Sequence, residues 1–232
     1  LKIYSTILGT KNHSQYKAKI FELENNSQTT LYSEKFDSSH FIIDSLSKTF
    51  RLINNNITIS QSLFIPDMGL TWVIEPNTQI HLITGANIVS ESTIKAIGEN
   101  ESRISISSDL TGGFIVKNAT NKSIFDYVTF NNLNSPKDDN WAITGAVTFY
   151  QSNVEIQNCL FNGNNSEDAL NIVRSKFEIS DSQISHTFSD ALDVDFSTGT
   201  IHNIVVLSAG NDALDFSGST ISINNATLSE VG

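Results

Sequence analysis

Three short segments that recur at a fixed interval decide the fold of this chain: Asp168–Ile172 reads DALNI, Asp190–Val194 reads DALDV, and Asp212–Phe216 reads DALDF. The step from each segment to the next is the same, at about 22 residues. A fixed period of roughly 20 to 50 residues is typical of repeat proteins, in which each unit buries its apolar side against the next. The repeat therefore predicts a stack of similar coils.

The apolar positions around these segments keep the same register. Ile179 aligns with Ile201 and Ile223, and the preceding unit aligns when the step is lengthened by one, at Val147, Phe149, Ile156 and Phe161. Short runs of period two, separated by Ser, Gly, Asn and Asp, are typical of strands and turns, and no run has a helical period. The sequence predicts an all-β chain folded as a right-handed parallel β-helix of about 22 residues per coil.

Alternation along residues 190–196 predicts which side chains face the core. Strand side chains have a period of two, so an inner set and an outer set alternate. The inner set is Leu192, Val194 and Phe196, and the outer set is Ala191, Asp193 and Asp195. Each coil lies about 4.8 Å from the last, so outward residues of successive coils form a row.

The N-terminal part of the chain has a different pattern. Residues 57–108 contain shorter strands of the same kind, whereas residues 1–50 contain longer alternating runs, such as Tyr16–Leu23 and Phe41–Asp44, without the 22-residue step. We expect an antiparallel β module or cap at residues 1–50 and the β-helix at residues 51–232. A cap would cover the open edge of the first coil. Gly232 falls in the middle of a coil, so we also expect the β-helix to continue beyond it.

Two further features concern the corners and interior of the coils. One column of turn positions is expected to stack amide and carboxylate side chains, at Asn158, Asp181, Asn203 and Asn225. Cys159 is the only cysteine, which excludes an internal disulfide and a zinc site made of cysteines. We expect its side chain to be buried in the core.

Composition limits the classes of function. The chain has 25 acidic and 14 basic residues, a formal net charge of −11. This balance argues against nucleic-acid binding, because phosphate contacts depend on Lys and Arg. No run approaches the roughly 18 consecutive apolar residues that a membrane span needs. The charge fits cation binding or solubility.

Carboxylates are concentrated on the repeated strand. Asp168, Asp190 and Asp212 stand at the strand entrances, and a row of polar residues faces outward at Asn171, Asp193, Asp195 and Asp215. Like charges about 4.8 Å apart repel by about 1–4 kcal/mol per pair. A raised pKa, a neighbouring Arg174 or Lys176, or a bound Ca²⁺ would relieve this repulsion. We take Asp193, Asp195 and Asp215 as candidate Ca²⁺ ligands; turn capping and a solvated surface are the structural alternatives.

Two parts of the chain resemble known β-helix proteins. Segment Trp72–Thr78 is similar to the first coils of secreted bacterial β-helices of the pectate-lyase-like superfamily. Ser189–Asp193 together with Asn211–Ser219 resembles the motif of polygalacturonase-type glycosidases. That resemblance implies that Asp190 and Asp212 act as acid and base in hydrolysis, with Asp193 and Asp195 beside them. Asn211 departs from the motif, because it stands where a proton-donating Asp is required.

The same superfamily contains polysaccharide lyases and uronate epimerases. Many of them combine acidic Ca²⁺ ligands with a basic residue that removes a proton, and the resemblance implies Arg174 or Lys176 in that role. One insertion, Asn131–Thr144, interrupts the repeat and contains Trp141. Long loops in solenoids often carry function. We expect Trp141 either to stack on a sugar ring or to fix the loop on the wall of the β-helix.

Two functions are consistent with these features. The first is an extracytoplasmic β-helix module of a larger bacterial surface or secreted protein, which binds polysaccharide or a protein partner, with Ca²⁺ assisting. The second is a polysaccharide hydrolase, lyase or epimerase that uses the acidic row. In both, Asn171, Asp215 and Trp141 are the candidate substrate-binding residues.

Overall fold

The computed structural model describes residues 2–6, 13–17, 37–138 and 141–232, and it gives the backbone alone for residues 2–6, 13–17, 138 and 141. The first strands are β1 (Lys2–Thr6), β2 (His13–Lys17), β3 (Phe41–Asp44), β4 (Thr49–Leu52), β5 (Asn56–Ile59), β6 (Leu63–Ile65), β7 (Thr71–Ile74), β8 (Gln79–Leu82), β9 (Ile88–Ser90), β10 (Ile94–Ile97), β11 (Ile104–Ser108), β12 (Phe114–Lys117) and β13 (Ser123–Asp126). They are followed by β14 (Val128–Asn131), β15 (Lys137–Asp138), β16 (Trp141–Ala142), β17 (Gly145–Tyr150), β18 (Val154–Gln157), β19 (Leu160–Asn162), β20 (Asp168–Val173), β21 (Lys176–Thr187), β22 (Asp190–Asp195), β23 (Thr198–Ala209), β24 (Leu214–Ser217) and β25 (Thr220–Val231). A single 3-10 turn, Ser38–His40, is the one helical element of these residues, which include no helix that could span a membrane.

From β4 onward the strands, apart from β15 and β16, form a parallel β-solenoid of about 8 turns, with coils of about 23 residues. One sheet has seven strands, in the order β6-β9-β12-β17-β20-β22-β24. The other strand positions of each coil belong to one larger sheet, because β21, β23 and β25 each run through the corner that joins them. The prediction of an all-β parallel β-helix is confirmed. We call the seven-stranded sheet the acidic sheet, after the Asp residues of β20, β22 and β24.

A stack of leucines forms the centre of the core. Leu170 lies directly beside Leu192 in the next coil, and Leu192 lies beside Leu214, in the register that the sequence predicts. Leu170 and Leu192 are fully buried. The longer step of the preceding coil also holds, since Val147 pairs with Leu170. Apolar side chains of one coil therefore cover those of the next, which is how a solenoid builds a continuous core.

The chain divides into two compact units, Leu1–Glu34 and Lys35–Gly232. In the first, β1 and β2 pair in antiparallel orientation. The expected strand Tyr16–Leu23 extends beyond β2 into residues 18–23, which lie outside the described residues. In the second unit, the expected strand Phe41–Asp44 is β3, which pairs with β4 in antiparallel orientation, and β4 continues the parallel sheet by pairing with β7.

Polar side chains at one corner of the coils form the predicted column. Asn158, Asp181, Asn203 and Asn225 all have positive φ angles, between 49° and 66°. This left-handed conformation suits Asn and Asp better than other residues with a Cβ atom. The Nδ2 of Asn225 donates to Asn203 Oδ1 at 3.0 Å, and the Nδ2 of Asn203 donates to Asp181 Oδ1 at 2.7 Å. The column therefore links neighbouring coils through hydrogen bonds.

A second column, which the sequence analysis missed, consists of serines. The hydroxyls of Ser175, Ser197 and Ser219 each accept a hydrogen bond from the backbone N–H of the equivalent residue one coil earlier, at 2.9–3.0 Å. Each hydroxyl also donates to a carbonyl oxygen two residues back in its own coil. These serines provide hydrogen-bond partners for backbone N–H and carbonyl groups at a corner of each coil, where the chain leaves the β-sheet ladder.

Two expectations about the strand at 190–196 are wrong. Ala191 was expected to face outward, but it is buried in the core, as are its equivalents Ala169 and Ala213. The reason is an interrupted pleat: the successive N–H groups of Ala191 and Leu192 both donate to the next coil, to the carbonyls of Asp212 and Ala213. Two consecutive side chains therefore point inward.

Phe196 was expected to point inward, but its side chain is 64% exposed. Its φ angle is +48°, so the residue forms the corner after β22 and leaves the alternation of the strand. The ring lies between the Arg174 guanidinium, 6.0 Å from the ring centroid, and Gly218. A Cβ on Gly218 would approach the ring to 2.8 Å, so the glycine makes room for it.

Cys159 is fully buried, as predicted. Burial raises the pKa of its thiol to about 12. The thiol therefore stays protonated at neutral pH, and it serves as a small core side chain.

The stacked leucines lead to a stability prediction. Leu192→Ala should lower the free energy of unfolding by about 2–5 kcal/mol, because it opens a cavity between two coils. Leu46→Ala is the matched control, since Leu46 is 98% exposed. Urea denaturation followed by circular dichroism measures both. Similar losses in the two variants would contradict the stacked core.

Candidate functional site

The outer face of the acidic sheet changes character along the solenoid. In β6, β9 and β12 its central outward column is apolar and buried, at Phe64, Val89 and Ile115. The column then becomes polar, at Thr148, Asn171, Asp193 and Asp215. The candidate site is therefore confined to the last coils of this sheet.

The insertion Asn131–Thr144 packs next to the apolar half of this face. Its strands β15 and β16 form an antiparallel hairpin. The carbonyl of Lys137 accepts a hydrogen bond of 3.1 Å from Asn87 Nδ2, just before β9, and the ring of Pro136 lies against Gly113, just before β12. The last residue of the insertion, Thr144, reaches the polar half of the face, since the Nδ2 of Asn171 donates to Thr144 Oγ1 at 3.5 Å. The side chain of Trp141, a candidate for sugar binding, lies outside the described residues.

Asn171 joins two carboxylates on adjacent coils. Its Nδ2 donates to Asp168 Oδ2 at 2.9 Å and to Asp193 Oδ2 at 2.8 Å. Asn171 and Asp168 are both buried. Gly145 provides the space, since a Cβ there would lie 2.6 Å from the Cβ of Asn171. The amide therefore links the two carboxylates by hydrogen bonds at a position that is largely shielded from solvent.

A second group of carboxylates lies one coil further. Asp190, Asp212 and Asp215 each present an oxygen within 4.8 Å of the others. Asp190 Oδ1 accepts hydrogen bonds from Asn211 Nδ2 at 2.8 Å and from the N–H of Asp212 at 3.0 Å. Asn211, which departs from the glycosidase motif, thus positions Asp190. This group combines two residues predicted from the resemblance with one predicted metal ligand.

The environment changes the proton affinity of the first pair. Burial, with the negative charges of Asp168, Asp195 and Asp215, raises the pKa of Asp193 to about 7. Burial also raises the pKa of Asp168, although the hydrogen bond from Asn171 acts in the opposite direction. Desolvation and like charges both disfavour a carboxylate, so Asp193 holds a proton far more readily than an ordinary aspartate.

Basic side chains do not compensate these charges in the part of the chain that the structure describes, where none of the salt bridges includes a carboxylate of the acidic sheet. Arg174 sits at a corner, where its Nη1 donates to the Tyr150 hydroxyl at 3.4 Å. Lys176 is exposed and begins β21 in the other sheet. The structure does not bring either residue together with Asp190 or Asp212.

The predicted metal ligands fall into different places. Asp215 belongs to the group of three with Asp190 and Asp212. Asp193 instead accepts the hydrogen bond from Asn171. Asp195 lies two residues further along β22 and is partly exposed, with Val173 and Ser217 as its neighbours on adjacent coils.

The sequence analysis missed two exposed aromatic residues at the ends of β22. Phe188 precedes the strand and is 69% exposed, and Phe196 follows it. A signal for Phe196 was present, because the 22-residue step aligns it with Arg174 and Gly218, a column that is not apolar. Phe188 aligns with Gly210 in the same way.

Comparison with known proteins gives no relative: no family model, no curated protein and no solved structure matches the chain.

The raised pKa of Asp193 predicts how stability depends on pH. Between about pH 4 and pH 7 the folded chain holds a proton that the unfolded chain releases, so stability should fall as pH rises through this window. Asp193→Asn should reduce this slope, and the part that remains belongs to Asp168, whose pKa is also raised. In a buffer with a chelator, it should raise the melting temperature at about pH 8 by roughly 2–4 °C and change it little at about pH 4.

Glu230→Gln, which neutralises an exposed carboxylate far along the last coil, is the control and should show neither effect. Thermal melts across the pH range make the measurement. An unchanged slope in Asp193→Asn would refute the assignment of the bound proton.

Proposed function

We propose that the acidic sheet is a cation-assisted binding surface, with Ca²⁺ held by Asp190, Asp212 and Asp215. Its ligand is a polysaccharide or a surface partner, and the chain acts as an extracytoplasmic β-helix module of a larger bacterial surface or secreted protein. The cellular setting rests on the resemblance of the coils to secreted bacterial β-helices. The observation that carries the proposal is the convergence of three carboxylates within 4.8 Å.

The spacing of the three carboxylates suits a calcium ion. Ca²⁺ binds oxygen ligands at about 2.3–2.6 Å, so two ligands on opposite sides of one ion lie roughly 5 Å apart. The three oxygens come within this distance of one another. The Nδ2 of Asn211 donates to both Asp190 and Asp212, but an amide carries no net charge. A bound cation would therefore relieve the mutual repulsion of the carboxylates further. Ligands from solvent or from a bound polysaccharide would complete the coordination.

Exposed aromatic rings support a polysaccharide as the ligand. Phe188 and Phe196 lie at the two ends of β22, which carries Asp190, Asp193 and Asp195. Exposed aromatic rings offer flat apolar area at a low entropic cost, and they are enriched at binding surfaces. Sugar rings have apolar faces that pack on such rings, while their hydroxyls and carboxylates interact with the cation and polar side chains.

Calcium should stabilise the protein through this group. At about 1 mM, Ca²⁺ should raise the melting temperature, because it binds the folded state. The double variant Asp212→Asn with Asp215→Asn should abolish that rise. The matched control is Glu155→Gln with Glu178→Gln, two carboxylates stacked on adjacent coils of the other sheet. Lys122 pairs with both, so the calcium response should persist there.

The absence of a calcium-induced shift in the unaltered protein would refute the cation part of the proposal. A shift that survives Asp212→Asn with Asp215→Asn would place the ion elsewhere.

A second candidate function, hydrolysis of a polysaccharide, is favoured by one observation. With a pKa of about 7, Asp193 is protonated in about half of the molecules at neutral pH, and that fraction can donate the proton. Asp190 is oriented as an acceptor by Asn211 and by the N–H of Asp212. Acid and base would then lie on the same strand. No observation favours a lyase or an epimerase. The basic residues proposed for them are not near the carboxylates, since Arg174 contacts Tyr150 and Lys176 begins β21 in the other sheet.

Binding and hydrolysis are separated by one experiment on polygalacturonan, alginate and glycosaminoglycan with Ca²⁺ present. We expect binding of at least one polymer without release of shorter products. Phe196→Ala should weaken that binding by roughly three- to tenfold, because the ring contact is lost. Leu46→Ala is the control for an exposed apolar side chain.

Affinity electrophoresis measures binding, and chromatography of the reaction mixture measures products. Product release that disappears in both Asp193→Asn and Asp190→Ala would replace the binding function by hydrolysis. If Phe196→Ala and the unaltered protein bind the polymer with equal affinity, the Phe196 ring does not contact the polysaccharide.

A further inference from the structure

A shallow cleft, open to solvent, at the N-terminal end of the larger sheet is lined by five residues that have amide side chains. Its volume is about 430 Å³, and its lining residues are Asn54, Asn55, Asn56, Asn77 and Gln79. They belong to two adjacent coils, on and before strands β5 and β8. Within the described ranges no charged side chain lines the cleft, although the chain as a whole carries a net charge of −11.

The fold fixes the backbone of these residues. Asn56 and Gln79 are direct neighbours in the parallel ladder, and the N–H of Gln79 donates to the carbonyl of Asn55 at 2.6 Å. Asn77 forms the corner before β8, with a φ angle of +62°, and its N–H donates to the carbonyl of Ser102 at 3.0 Å. The amides are therefore presented from a rigid scaffold, about one coil spacing of 4.8 Å apart.

The side chains of these residues are free of hydrogen bonds to the protein within the described ranges. All five are exposed. Other asparagines of the solenoid differ in this respect. Asn203 and Asn225 bond to each other across coils, and Asn171 holds two carboxylates. The amides in the cleft do not perform that structural role.

The chemistry of the lining selects a class of ligand. Each amide offers an acceptor oxygen and two N–H donors. A hydroxyl group also donates and accepts, so adjacent amides can match adjacent hydroxyls. A carboxylate or phosphate ligand would find donors here but no positive charge, and a metal ion would find no anionic ligand. The lining thus favours a neutral ligand that is rich in hydroxyl groups.

We propose that this cleft is a second binding site, which takes a neutral saccharide unit through Asn56, Gln79 and their amide neighbours. It lies on the larger sheet, whereas the proposed calcium site lies on the acidic sheet. Binding here needs no cation. The two sites can therefore be tested separately on the same protein.

The test uses neutral hexasaccharides of the cello-, xylo-, manno-, malto- and chito- series, with the hexamer of galacturonic acid as the charged comparison. Titrations with a chelator present are followed by nuclear magnetic resonance of the side-chain NH₂ groups and by calorimetry. We expect at least one neutral series to bind saturably and to shift the NH₂ signals of Asn56 and Gln79. Asn56→Ala with Gln79→Ala should weaken its binding at least about tenfold, since it removes two paired amides.

Two controls keep the outcomes distinct. Asn224→Ala removes an exposed asparagine of β25, and Asp215→Asn removes a proposed calcium ligand; binding of the neutral series should be unchanged in both. The calcium-induced rise in melting temperature should survive in Asn56→Ala with Gln79→Ala. The proposal is overturned if no neutral series binds, if binding requires Ca²⁺, or if the double variant binds as well as the unaltered protein.

Discussion

Backbone hydrogen bonds between successive coils are the constraint on which the rest of this structure depends. They fix every residue beside the residue one coil away, at a spacing of about 4.8 Å. Because the step along the chain is constant in the last coils, equivalent positions fall into columns that contain the same kind of side chain. Leu170, Leu192 and Leu214 show the favourable consequence, since each fills the space beneath the next.

The same constraint brings unfavourable neighbours together on the outside. Asp193 lies beside Asp215 because Leu192 lies beside Leu214, so the core that stabilises the fold also concentrates negative charge on the acidic sheet. Two features of the structure reduce the repulsion between these carboxylates. Asn171 donates to two carboxylates, and the pKa of Asp193 rises to about 7. A cation at Asp190, Asp212 and Asp215 would be the third. The amide cleft lies on the other sheet, so the two proposed binding sites are separate.

Much of the fold follows from the sequence because the repeat carries its own register. The period predicted the strand pairing, the leucine stack, and the column at Asn158, Asp181, Asn203 and Asn225. The direction of side chains near the corners was harder to predict, because the two-residue period of a strand is interrupted where the backbone turns. That is why Ala191 is buried and Phe196 is exposed. The grouping of Asp190 and Asp212 with Asp215, apart from Asp193, depends on side-chain directions and on Asn211. Alternation along one strand does not contain that information.

The acidic site and its proposed function both require that the three leucines are in register along one axis. Nuclear magnetic resonance of protein with labelled leucine methyl groups tests this directly. The account predicts strong methyl-to-methyl Overhauser effects between Leu170 and Leu192 and between Leu192 and Leu214. It predicts a much weaker effect, or none, between Leu170 and Leu214, which are two coils apart. Absence of the first two contacts, or a strong contact between Leu170 and Leu214, would contradict the stacked coils and the row of carboxylates outside them.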